Sequence, residues 1–223
     1  MLRCWADKYC KQVGQPGCNN FCAGYVILEI LYKQSDIPKR YQYPQILRPD
    51  EIDEDVYNYI YKIITGDVVE WVKDGNNLLL WGENRGNGKT SLACGVANKY
   101  IREMVHISNF EPVVYFIKTA KFLEDLRHQY SNPTLDFPNR LKIIENVPLL
   151  IIDDIGAERP NDWVRERLLT IIDERYSNNR SIIYTSNCSL AELHESLKGR
   201  ISDRINDAKS LHFRGTSKRG INR

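Results

Sequence analysis

Between Gly82 and Thr90 the chain reads Gly-Glu-Asn-Arg-Gly-Asn-Gly-Lys-Thr, residue types suited to holding phosphate. The apolar run Leu78–Trp81 precedes it, and a helical pattern begins near Ser91. In such a loop, glycines such as Gly82, Gly86 and Gly88 let backbone N–H groups, Asn87's among them, turn inward on phosphate oxygens. The N-terminus of the following helix adds positive potential. Lys89 is expected to reach the β- and γ-phosphates, and the Thr90 hydroxyl to ligate Mg²⁺, with Ser91 beside them. The spacing is unusual: five residues, Glu83 to Asn87, separate Gly82 from Gly88, where four are usual. Either the loop carries one extra residue, or Glu83 replaces the first glycine. The alternative to a phosphate cradle is a glycine turn that binds nothing.

Further along, Leu149–Ile152 ends in Asp153 and Asp154. Two carboxylates at a buried strand tip are costly unless a cation neutralises them. Asp153 is expected to hold Mg²⁺, and Asp154 to orient and deprotonate an attacking water. A third apolar run, Ile182 to Tyr184, ends in Thr185-Ser186-Asn187. Asn187 is placed to hydrogen-bond a γ-phosphate or the lytic water, although many strands end in such turns. Arg200 and Arg204 are four apart and share a helix face. Alone they read as surface charge. In an oligomeric ATPase, one such arginine reaches the neighbour's γ-phosphate.

These groups need a scaffold that brings distant positions to one edge. Apolar runs at 78–81, 113–117, 149–152, 181–185 and 210–213 read as strands. Helical segments lie at about 88–106, 119–130, 138–146, 161–178 and 189–207. The alternation predicts an α/β fold with a five-stranded parallel sheet covered on both faces. Ligands of such sheets bind at the carboxyl ends of the strands. Before the sheet, Asp50 is positioned to cap a helix over about 51–65, with Ile52, Val56, Tyr59, Ile60 and Ile63 on one face. Prolines 38, 44 and 49 mark 35–50 as an extended linker. Residues 1–34 read as a small separate module ending in a short helix at Tyr25–Tyr32, and 51–223 as the catalytic domain.

Four of the six cysteines, Cys4, Cys10, Cys18 and Cys22, lie within the first 22 residues. In a reducing compartment, clustered thiols favour metal over disulfides. A structural Zn²⁺ site is the expected use, with unliganded thiols or an iron–sulfur cluster as alternatives. Cys94 and Cys188 read as packing residues. The formal net charge is only +2 over 223 residues, which excludes a polycation. From Lys198 onward, however, eight Lys/Arg face only Asp203 and Asp207. That tail suits phosphate-rich partners, or is simply solvated. No apolar run approaches the ~20 residues of a membrane span, and no apolar signal segment is visible. A cytoplasmic location without membrane contact is expected.

The order Gly-Lys-Thr, strand ending Asp-Asp, strand ending Thr-Ser-Asn, then Arg-Ile-Ser-Asp-Arg resembles the AAA+ ATPases, and within them the DnaC/DnaI helicase-loader and IstB-like group. Asp153-Asp154-Ile155-Gly156-Ala157-Glu158 is similar to that group's Asp-Asp-Leu-Gly-Ala-Glu form. Ile37-Pro38-Lys39-Arg40-Tyr41 is similar to the Ile-Pro-x-Arg-Tyr/Phe segment at the start of its ATPase domain. The resemblance spans about 35–213 and implies an AAA+ core binding ATP and Mg²⁺ between subunits of a homo-oligomer. Lys89, Thr90 and Asp153 then bind nucleotide and metal, Asp154 stands where many AAA+ enzymes have glutamate, and Asn187 senses the γ-phosphate. Arg204 is the first candidate for an arginine finger and Arg200 the second. It further implies a DnaB-type replicative helicase as partner, docked by the amino-terminal cysteine module, single-stranded DNA as substrate, and little room for a helical lid. For the DNA, Lys118, Lys121 and Arg127 are candidates, each equally readable as part of a solvated face. The alternatives are an IstB-like transposition helper ATPase and an adaptor that binds nucleotide without turnover.

Overall fold

The computed structural model describes residues 18, 22–42, 51–131, 134, 136–157, 162–197 and 199–218. Helices α1 (Ala23–Gln34) and α2 (Lys39–Gln42), a 3-10 turn at Glu51–Asp53, and helices α3 (Glu54–Thr65) and α4 (Val68–Lys73) precede strand β1 (Leu78–Trp81). There follow α5 (Lys89–Met104), β2 (Val114–Lys118), α6 (Thr119–Ser131), α7 (Asp136–Asn146), β3 (Leu149–Asp153) and α8 (Asp162–Ser177). The chain continues through β4 (Ser181–Ser186), α9 (Leu190–Leu197), α10 (Gly199–Asn206) and β5 (Lys209–His212).

The five strands form one parallel sheet in the order β2-β3-β4-β1-β5. Continuous apolar runs such as Leu149–Ile152 form strands here because both sheet faces are covered, leaving no polar side to alternate with. Leu78, Leu80, Ile151 and Ile183 face one layer, with α1, α3, α4 and α5. Leu79, Leu150, Ile152 and Tyr184 face the other, with α6 to α10. The register pairs Trp81 with Ser186 and His212, and Lys118 with Asp153. The carboxyl ends of all five strands therefore share one edge.

Three expectations are corrected. The segment read as an extended linker contains α2, and Ile37 is buried in the core. There Asn98 Nδ2 donates to Tyr41 O (2.7 Å), and Phe116 N donates to Ser35 O (2.8 Å). Helix α1 joins the same core through Leu28, Leu31 and Tyr32, so 23–42 packs against the sheet, because these apolar side chains find their burial there. Ile52 is exposed: the 3-10 turn at Glu51–Asp53 shifts it off the face that buries Val56, Ile60 and Ile63. The predicted helix over 189–207 is two helices, α9 and α10, parted where Gly199 takes φ +53°. Asp50 lies outside the described residues.

So do Cys4 and Cys10. Among the described residues no cluster of three or more metal-ligating side chains occurs. Cys18 is exposed, and Cys22 caps α1, its Sγ accepting from Tyr25 N at 3.3 Å. Cys94 is buried, which pushes its thiol pKa far up, and Cys188 packs half-buried against the second layer. No helix among the described residues is long and apolar enough to cross a membrane.

Candidate functional site

Strand β1 delivers the glycine-rich loop to the carboxyl edge of the sheet. Its left-handed positions are Gly82 (φ +154°), Gly86 (φ +81°) and Gly88 (φ +105°), and Glu83 is not among them. A glycine at 83 is therefore not required by the backbone. Gly82 is required for another reason: a Cβ there would overlap the carbonyl oxygen of Phe213. The segment after β5 runs back along the loop. Phe213 N donates to Trp81 O (2.7 Å), Asn84 Nδ2 donates to Arg214 O (3.1 Å) and Gly215 O (3.2 Å), and Lys218 N donates to Gly86 O (2.9 Å).

Gly88 is the N-cap of α5, so Lys89, Thr90 and Ser91 form its first turn. Lys89 is only 5% exposed. Its Nζ donates to Gly82 O (2.7 Å), Asn84 O (2.9 Å) and Asn87 Oδ1 (3.0 Å). Burial pulls its pKa down to about 8, against the attraction of Asp154, Asp53 and Asp153. Asn87 is buried too, and its Nδ2 has no acceptor among the described residues. A buried donor left unpaired is costly, and this one lies in a loop already holding a cation. Both features suit an anionic ligand.

On the acidic side, Asp153 ends β3 and collects three threonines. Its Oδ1 accepts from Thr90 Oγ1 (2.8 Å) and Thr185 Oγ1 (2.7 Å), and its backbone oxygen from Thr119 Oγ1 (2.8 Å). Burial raises its carboxyl pKa above the ordinary value, and the Thr185 and Thr90 hydrogen bonds oppose that rise. Asp154 follows with φ +61°, a left-handed conformation uncommon for a non-glycine residue. Two bonds hold it there. Its N–H donates to Thr185 Oγ1 (3.0 Å), and its Oδ1 accepts from Asn187 Nδ2 (2.6 Å). Strain of this kind persists where the surroundings over-determine it. It turns the two adjacent carboxylates apart, one toward Thr90 and one toward Asn187.

The structure thus brings Lys89, Thr90, Asp153, Asp154 and Asn187 to one edge. It places Arg200 and Arg204 elsewhere, on α10 against α8. Arg200 Nη2 donates to Asp173 Oδ2 (2.6 Å), Arg204 Nε donates to Asp173 Oδ1 (3.1 Å), and the Arg204 guanidinium lies 3.9 Å from the Tyr176 ring centre. Lys118, Lys121 and Arg127 are exposed. Sequence reasoning missed Thr185 and Thr119 as partners of Asp153, although Thr185 stands in the same Thr-Ser-Asn signal that marked Asn187. It also missed Asn84, whose amide ties the loop to a segment 130 residues away; no spacing rule marks such a pair. Chemically, the edge combines cationic and N–H donors for phosphate, a hydroxyl–carboxylate pair for a divalent cation, and a carboxylate–amide pair able to hold a water.

The profile of the IstB-like ATP binding proteins matches residues 60–219. The replicative helicase loader DnaI of Bacillus subtilis is 31% identical over 120 residues, covering 53% of this chain and 35% of that protein. The insertion sequence IS1162 ATP-binding protein of Pseudomonas fluorescens is 32% identical over 117 residues, covering 52% and 46%. The replicative helicase loader DnaC of Escherichia coli is 25% identical over 139 residues, covering 62% and 54%. The chain thus spans about half the length of these relatives or less. Among solved structures, the DnaC helicase loader superposes with a TM-score of 0.63 at 26% identity, covering 79% of this chain and all of that one. AMPPCP-bound DnaA of Aquifex aeolicus shares the fold, with a TM-score of 0.62 at 16% identity over 80% of this chain and 51% of that one.

Proposed function

This chain belongs to the family of IstB-like ATP binding proteins, and from that membership we propose that it is a cytoplasmic ATPase that loads a DnaB-type replicative helicase onto single-stranded DNA. Its fold is that of the AAA+ ATPases. The observation that carries the catalytic half of this reading is the convergence of Lys89 and Thr90 with Asp153, Asp154 and Asn187 at one sheet edge. The loading half is supported by the relatives DnaI and DnaC, which are replicative helicase loaders.

Bound ATP with Mg²⁺ supplies the transferable γ-phosphoryl group and its charge. Lys89 neutralises the β- and γ-phosphates, and the first-turn N–H groups of α5 cradle them. Thr90 Oγ1 and Asp153 Oδ1, 2.8 Å apart, would hold the metal. As water bonds to the γ-phosphorus and the bond to the β-phosphate oxygen breaks, releasing ADP and phosphate, Asp154 accepts the water's proton, and Asn187 aims that carboxylate through their 2.6 Å bond. Arg200 and Arg204 serve a neighbouring subunit's site in a homo-oligomer. Arg200 extends further, its side chain 68% exposed against 29% for Arg204, which favours it as the residue that reaches across. The amino-terminal cysteines Cys4, Cys10, Cys18 and Cys22 would supply the thiolates of a structural zinc site, in a module that would dock the helicase.

Affinity-tagged protein is expected to capture a replicative helicase with ATP, and less of it with ADP or no nucleotide. No complex with any DnaB-type helicase under these conditions rules out loading. The insertion-sequence relatives favour a second reading, a transposition helper. Capture of a transposase in its place selects that reading.

Lys89 also makes binding pH-dependent. Phosphate oxygens on Nζ hold it protonated, whereas in the free protein it titrates at about 8. ATP binding above pH 8 is expected to take up a proton, and affinity to fall about tenfold per pH unit there until the bound-state pKa is reached. For folding, the depressed native pKa means that the unfolded chain binds more protons between about 8 and 10.5. The free protein therefore gains stability with rising pH across that window and loses it as pH falls through 8. Calorimetry in buffers of differing ionisation enthalpy measures the proton uptake.

A further inference from the structure

Asp53 is a carboxylate only 2% exposed that none of the chemistry above uses. It occupies the N-cap position of α3, yet its side chain makes no capping bond. Its oxygens reach across the molecule. Oδ1 accepts from Arg214 N (2.8 Å) and Oδ2 from Gly215 N (2.9 Å), some 161 residues away in sequence. The Arg214 side chain folds back on the same turn, its Nη2 donating to Ile52 O (2.8 Å).

The two residues that Asp53 holds by their N–H groups are held by their carbonyls from the phosphate loop. Arg214 O and Gly215 O both accept from Asn84 Nδ2, and the backbone oxygen of Asn84 accepts from Lys89 Nζ at 2.9 Å. Two residues on, Gly86 O accepts from Lys218 N. A continuous run of hydrogen bonds therefore joins Asp53 to Lys89 through Arg214–Gly215 and Asn84. We infer that Asp53 is a positioning residue for the nucleotide site: it pins the strap Arg214–Lys218, the strap pins Asn84, and Asn84 fixes one of the three acceptors that aim Lys89.

The inference rests on nucleotide binding at the loop and is independent of helicase loading. A loop with three left-handed glycines has many conformations to lose on binding, and fixing it beforehand lowers that cost. A carboxylate is needed at 53 because it accepts from two N–H groups at once. Asparagine offers one acceptor and turns an NH₂ toward the second N–H.

The test titrates ATP, with Mg²⁺, into the full chain and its Asp53→Asn and Asn84→Ala variants. Each is expected to bind about tenfold more weakly, and the double variant no more weakly than either single one, since both cut the same run of bonds. The loss is expected for ATP and not for AMP, which lacks the phosphates that Lys89 meets, a selectivity that a merely structural defect does not produce. Asp55→Asn, two residues on and exposed, is the control and leaves affinity unchanged. Wild-type affinity in folded Asp53→Asn, or losses that simply add in the double variant, overturns the inference. Should Asp53→Asn not fold, wild-type affinity in Asn84→Ala overturns it. Absence of ATP binding by the wild-type chain is a different result and overturns the nucleotide reading itself.

Discussion

Lys89→Met is expected to weaken ATP binding by about a hundredfold or more while leaving the free protein as stable as the wild type, or more so. The two effects have opposite signs for one reason. Nζ is buried among Gly82 O, Asn84 O and Asn87 Oδ1, and none of these neighbours is an anion. Its pKa falls from 10.5 to about 8, which corresponds to about 3 kcal/mol held against the charged form. The methionine stem keeps the packing and removes that cost, and it leaves three oxygens without one donor. Triphosphate reverses the balance. A buried, charge-assisted contact to phosphate contributes about 3 kcal/mol, or a hundredfold in affinity. Calorimetric titration reads the first effect and thermal unfolding the second. A variant that binds ATP normally removes Lys89 from the site. One that melts far below the wild type shows that the three carbonyl contacts stabilise the apo fold.

Arg175→Ala is expected to cost about 4 kcal/mol of stability, a large share of the 5–15 kcal/mol typical of a domain. Arg175 is fully buried in α8. Nη1 donates to Ile144 O (2.9 Å) and Val147 O (2.8 Å), and Nη2 to Pro148 O (3.2 Å) and Ser181 O (2.6 Å). One guanidinium thus ties the end of α7 to the starts of β3 and β4, and the carboxyl-terminal end of α7 adds negative potential there. Alanine leaves four carbonyls without that donor and opens a cavity. The midpoint of thermal unfolding is expected to fall by about 8–16 °C. These contacts lie at the amino edge of the sheet, opposite the proposed nucleotide site, so the ATP affinity of the folded variant should stay near wild type. A melting point within a few degrees of wild type contradicts the account, as does selective loss of ATP binding in a protein that still folds.

Both residues show where reading along the chain succeeds and where it stops. Lys89 is legible because its partners are close in sequence: the glycines, the lysine and the helix start form one local pattern. The apolar runs are legible for a similar reason, since a strand buried on both faces must be apolar throughout. Arg175 is not legible. In sequence it is one more charged residue on an amphipathic helix, Asp162–Ser177, and nothing local says that four carbonyls from three elements enclose it. Ile52 failed in the opposite direction: its helical spacing is right, but a 3-10 turn takes it out of phase.

By itself, then, the sequence determined the alternation of the five strands with the longer helices, the glycine-rich loop, and the acidic and amide groups that end β3 and β4, because each is encoded in contiguous residues and a fixed period. Only the tertiary structure decided that Glu83 needs no left-handed backbone, that Gly82 must be glycine because of Phe213, that Arg200 and Arg204 rest on Asp173, and that Asp53 bonds the strap rather than its own helix. Each of these depends on which distant segments lie side by side. That is settled by strand order and by the burial of two apolar layers, which no stretch of the chain carries alone.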